Sequence, residues 1–156
     1  MKKKFNRKEK AIVQDFVNSI NSSLAIKISE NKRFECDIPK NTIYLGLKTI
    51  DEDELELFNE WLSTHNVKTK MNRRILSLLH EIGHFQTFNK EEWEDRNKRE
   101  QVLIFLYDQD IISYKQLNFS YWNLTNELKA TMWGVNYYKR HKKQCEELAA
   151  MLGLEN

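Results

Sequence analysis

Apolar residues recur along the first part of the chain at Ala11, Ile12, Phe16, Val17 and Ile20. That spacing keeps one face of a helix apolar and predicts an amphipathic helix over Lys8 to Ser19. The pattern then changes period. Leu24 to Ile28 reads as a strand, Arg33 to Asp37 fits a second, and Thr42 to Leu47 is the clearest of the three. Pro39, Lys40 and Asn41 form a turn between the last two. Beyond Leu47 the period is helical again. Asp51 to His65 opens with acids, which suit the positive end of a helix dipole, and carries Leu55, Leu57, Phe58, Trp61 and Leu62. Further helices are predicted over Met71 to Phe88, Glu91 to Tyr107, Asp110 to Leu117 (a short one), about Thr125 to His141, and Gln144 to Leu152. The expected fold class is α+β, mainly helical, with a short three-stranded sheet before the Met71 to Phe88 helix.

Composition supports this order. Only one Pro and four Gly occur in 156 residues, and so few breakers favour long helices over many short strands. Hydrophobic residues at 40% and charged residues at 31% fit a globular chain rather than a disordered one. The length suits one domain over residues 1–156, and no repeat or linker divides it. The net charge of +2 does not by itself suggest nucleic acid as a partner. Lys2, Lys3, Lys4, Arg7, Lys8 and Lys10 cluster, which reads as a solvated helix start or as a weak patch for an acidic partner. No apolar core follows these residues as it would in a secretory signal, and no apolar run approaches membrane-spanning length. Cys36 and Cys145 form no CxxC pair and read as reduced thiols. Together these features predict a cytoplasmic protein with no membrane partner.

The residues that carry chemistry are His80-Glu81-Ile82-Gly83-His84, an HExxH string inside the Met71 to Phe88 helix. Two histidines four apart project about 40° from one another, one turn up, so both imidazoles can reach one zinc ion. Glu81 lies about 100° from His80 and can face a water on that ion as general base without being a ligand. Ile75, Leu78, Leu79, Ile82 and Phe85 form an apolar stripe, and His80 and His84 fall on the opposite side of the helix. Glycine inside a helix costs about 0.5–1 kcal/mol relative to alanine, so Gly83 suggests close approach of a neighbouring element beside the metal.

A catalytic zinc needs a third protein ligand and one open position. Glu127 is the expected ligand. It shares a helix face with Ala130, Thr131, Gly134, Tyr138 and His141, whereas Lys129, Asn136 and Arg140 occupy the opposite, solvated face. A glutamate among small residues can press against another helix. Asp95, Asp108, Asp110 and His141 are the alternatives. Tyr138, His141 and Tyr114 are each open as the donor that stabilises an oxyanion.

His80, Glu81, Gly83 and His84, followed by Glu127 with Ala130 three residues on, resemble the gluzincins, zinc peptidases with HExxH on one helix and a glutamate ligand on a later one. Within them the chain looks most like the small ImmA/IrrE-like and minigluzincin-type proteins of phages and mobile elements, over roughly Arg33 to His141. The resemblance implies a small zincin-like fold and a zinc-dependent metallopeptidase, with Thr42 to Leu47 as the edge strand that aligns an extended substrate. Glu91 to Leu117 departs from the family as inserted helix. The implied partner is a protein or peptide substrate, a regulatory protein by analogy. The competing expectation is a catalytically inactive protein of the same fold. It would bind a regulatory protein or DNA through the basic N-terminus and the aromatic cluster Phe119, Tyr121 and Trp122.

Overall fold

The computed structural model describes residues 3–30, 33–68 and 70–154. Lys2 of the basic cluster lies outside the described residues. Among the described residues, seven helices and three strands follow in the order α1 (Arg7–Asn18), β1 (Ala25–Ile28), β2 (Glu35–Asp37), β3 (Thr42–Leu45), α2 (Glu52–Thr64), α3 (Arg73–Gln86), α4 (Lys90–Asp108), α5 (Tyr114–Trp122), α6 (Thr125–Arg140) and α7 (Lys142–Met151). The fold is therefore mainly helical α+β with a small three-stranded sheet ahead of the HExxH helix. Among the described residues, no helix is long and apolar enough to cross a membrane.

Side-chain caps start most of these helices. Asn6 and Glu9 form a capping box on α1, Asp51 caps α2, Asn72 caps α3, and Asn89 caps α4. Each cap oxygen satisfies backbone N–H groups that the first helical turn leaves without partners. The same rule explains one difference from the predicted elements. Ser113 and Gln116 form a capping box, so α5 starts at Tyr114 and not at Asp110. Asp110 instead turns the chain with φ +55°.

The sheet order is β1-β3-β2, with β1 parallel and β2 antiparallel to β3. This corrects the expectation for the Thr42 to Leu47 segment. Its strand, β3, is the central one, and both its edges are already paired, so no extended substrate can add to it. The strand with only one neighbour on the side of the HExxH helix is β2, which packs on α3. Ile26, Ile43 and Cys36 are register partners across the sheet and project to one face. Ile26 and Ile43 are buried there, and Cys36 ends the row beside α3.

The core lies between the sheet, α1, α3, α6 and α7, with Val13, Val17, Ile75, Leu79, Ile82, Val135 and Leu148 among its buried side chains. The most extensive packing between elements is that of α3 on α6. Glycine permits it. A Cβ on Gly83 would lie 2.5 Å from the Ala130 carbonyl oxygen, and one on Gly134 would lie 3.2 Å from Leu79 Cβ. The two backbones cross where only hydrogen atoms fit between them, directly beside the two histidines.

Candidate metal centre

The crossing buries one face of α3 and the facing side of α6, and the chemistry sits at its rim. The side chains of His84 and Glu127 are 5% and 1% exposed, and that of His80 is 18% exposed. Glu127 Oε2 lies 3.1 Å from His80 Nε2 and 3.4 Å from His84 Nε2, and the two Nε2 atoms are 3.0 Å apart. Three lone-pair donors thus converge on one point. Ligands about 2.0–2.1 Å from a tetrahedral zinc stand about 3.3 Å from one another. The observed triangle matches that spacing without a change of backbone, and two imidazoles with one carboxylate form a set that zinc accepts. The residues therefore fit the ion.

Neighbouring side chains fix the orientation of these donors. Thr131 Oγ1 lies 2.9 Å from His80 Nδ1. With the hydroxyl oxygen accepting from Nδ1–H, Nε2 carries the lone pair that faces Glu127. Glu127 is gripped at its other oxygen: Arg96 Nε and the Tyr121 hydroxyl each donate to Oε1 at 3.1 Å, and Arg96 Nη2 donates to the tyrosine oxygen at 2.8 Å. One carboxylate oxygen is occupied by protein and the other is left for the histidines. Trp93 closes the outer side, its ring edge-on to His84 at 5.5 Å.

The charges follow this layout. Burial opposes ionisation of Glu127, but hydrogen bonds and charge from His80 and His84 outweigh it and hold the carboxyl well below the usual range. Burial opposes the imidazolium of His80, yet its hydrogen bond to Glu127 and the nearby Glu81 and Glu127 charges raise its pKa. Glu81 behaves in the opposite way to Glu127. Burial raises its pKa, and the neighbouring histidines only partly offset that. A carboxyl raised toward neutrality is suited to both taking and returning a proton.

Glu81 faces a groove of about 1020 Å³ that also runs past Cys36, Trp93, Arg96, Tyr114 and Glu127. The Cys36 sulfur lies within 4.8 Å of a Glu81 carboxylate oxygen, and burial with the adjacent Glu81 charge pushes the thiol's pKa up. Cys36 is thus a neutral donor in the groove.

The predicted residues are distributed as follows. His80, His84 and Glu127 are brought together, and Glu81 stands beside them. Asp95 pairs with Arg99 on the exposed side of α4, and His141 stacks on Tyr137 at the end of α6. Neither these nor Asp108 or Asp110 join the histidines among the described metal-binding groups. Of the three possible oxyanion donors, Tyr138 is buried, its hydroxyl accepting from Asn72 N at 3.0 Å, and His141 is remote. Only Tyr114 lines the groove. The aromatic cluster turns inward: Trp122 packs on Phe58 and Trp61, Phe119 packs on Trp122, and Tyr121 serves Glu127. Lys4 of the basic cluster pairs with Glu30. Arg96, Tyr121 and Cys36 are the site residues that sequence reasoning missed. Arg96 sits in a segment dense with charge, and nothing in its local pattern distinguishes it from Arg99.

No protein family matches this chain, and neither a curated protein nor a solved structure is similar enough to it to guide an assignment.

Proposed function

We propose that this chain is a zinc-dependent metallopeptidase that hydrolyses peptide bonds in a protein or peptide substrate. The observation that carries the reading is the triangle of His80 Nε2, His84 Nε2 and Glu127 Oε2, all within 3.4 Å of one another, with Glu81 next to it and open to the groove. His80, His84 and Glu127 would hold the ion. A bound zinc supplies Lewis acidity, which acidifies water toward neutral pH and polarises a carbonyl group.

The chain's own residues supply the rest. Glu81 accepts the proton of the attacking water on a carboxylate oxygen and returns it to the departing amine nitrogen. Its raised pKa favours the second transfer. Arg96 and Tyr121 keep Glu127 from swinging out of the triangle, and Thr131 keeps the His80 ring in register. Tyr114, on the groove wall, would donate to the carbonyl oxygen as negative charge develops there. An extended substrate would pair with β2, since β3 has no free edge. The proposed location is the cytoplasm, where free thiols such as Cys36 and Cys145 stay reduced.

Replacing Glu81 by Gln removes the proton acceptor and leaves the three donors intact. We expect a fall in peptidase activity of about 10²–10⁴-fold with zinc content unchanged. Cleavage of an unfolded protein substrate at the wild-type rate by Glu81→Gln would refute the mechanism.

A further inference from the structure

Two groups of side chains that could hold a metal ion occur among the described residues, and they share one member. The first is His80, His84 and Glu127, and the second is Cys36, Glu81 and His84, whose ligand atoms also lie within 4.8 Å of one another. The second group is assembled from two elements. Cys36 ends the Ile26–Ile43–Cys36 row on the sheet, and Glu81 and His84 are three residues apart on α3, on neighbouring positions of one face. The sulfur, a Glu81 carboxylate oxygen and a His84 ring nitrogen lie within 4.8 Å of one another across the short gap between β2 and α3. A divalent cation placed among them would meet three donors from two rigid elements.

We propose that Cys36, Glu81 and His84 form a second berth, selective for a thiophilic divalent cation, that competes with the first for His84 and takes Glu81 out of service as a base. Thiolate ligands favour soft cations, whereas the first group offers only nitrogen and oxygen. Binding releases the thiol proton to solvent and involves no change of oxidation state. His84 belongs to both groups, so a cation held with the sulfur draws on a residue that the first group also needs. It also converts Glu81 from proton acceptor to ligand. The berth stands on the geometry alone; its inhibitory consequence rests on the peptidase reading.

The test uses the full chain stripped of metal and titrated with cadmium, read by the ultraviolet thiolate-to-cadmium charge-transfer band. The wild type should gain the band, saturating near one cadmium per chain. Cys36→Ser and His84→Ala should lose it, with helical content by circular dichroism equal to wild type. Cys145→Ser and Glu127→Gln should keep it, because Cys145 belongs to no such group and Glu127 belongs only to the first. No band in the wild type, a band that survives Cys36→Ser, or one that disappears with Glu127→Gln would each overturn the berth. Cadmium should also inhibit the zinc-loaded wild type and spare Cys36→Ser. A band that behaves as stated in a protein without peptidase activity would sink the proposed function and leave the berth standing.

Discussion

The α3–α6 crossing and the α4–α5 arm both act on Glu127, and they are built in opposite ways. The crossing is dense: Gly83 against Ala130, Gly134 against Leu79, and side chains of α3 and α6 buried along the contact. Neither α4 nor α5 has a fully buried residue, and Val102, Phe105 and Ile111 near the turn between them are more than half exposed. Yet the arm supplies Arg96 and Tyr121, the two donors that hold Glu127 Oε1. The crossing sets where the three donors are. The arm sets which way one of them points. Position depends on close packing and so on the stability of the whole molecule. Orientation depends on two hydrogen bonds to a charged group, each worth about 1.5–3 kcal/mol.

The largest effect is expected at the crossing. Gly83→Val puts a branched side chain where a single carbon already lies 2.5 Å from a backbone oxygen. Chemical denaturation should show a loss of about 3 kcal/mol or more, and an unchanged midpoint would mean that the helices are not in close contact. The arm should fail differently. Arg96→Gln should weaken zinc binding by about 10–100-fold, with a much smaller change in unfolding midpoint. Equal damage to stability and to zinc affinity would remove the distinction between the two regions. Tyr121→Phe removes one of the two donors and keeps the ring, and should fall at or below the lower end of that range.

Acidity should sharpen the same point. His80 has a pKa raised above its ordinary 6.5 through Glu127 and Glu81. Protons therefore compete with zinc for Nε2 from above that value, and zinc affinity should fall as the pH is lowered through the neutral range. In the metal-free protein the sign is reversed. The stability contributed by the charged His80 is fully present below the unfolded imidazole value and is lost as the pH rises through the folded one. A zinc affinity that stays flat across neutral pH would mean that His80 takes no part in binding. The smallest effect is expected at the tip of the arm, where Phe105→Ser should change stability by no more than about 0.5 kcal/mol.

Much of this was legible in the chain because periodicity encodes faces. The i, i+4 spacing of His80 and His84 fixed their common face, and the run of Ala130, Thr131 and Gly134 marked the side of α6 that could approach α3. Gly83 signalled the close approach itself. Strand order was not legible: a strand of four residues such as β3 carries no sign of whether one or both of its edges are paired, and the edge fell to β2 instead. The start of α5 was misplaced because a left-handed turn at Asp110 and a capping box at Ser113 override the apolar spacing. Cys36, Arg96 and Tyr121 reach the site from separate elements. Their contacts depend on tertiary placement, which no local pattern contains.

Three side chains from two helices, His80, His84 and Glu127, are proposed to form one zinc site. Zinc per chain should be measured on purified wild type, His80→Ala and Glu127→Ala after supply of the metal and removal of excess. The expected result is one zinc in the wild type and none in either variant, with helical content retained. Zinc lost with His80→Ala but kept with Glu127→Ala would contradict the role of α6, and a wild type that binds no zinc would contradict the site altogether.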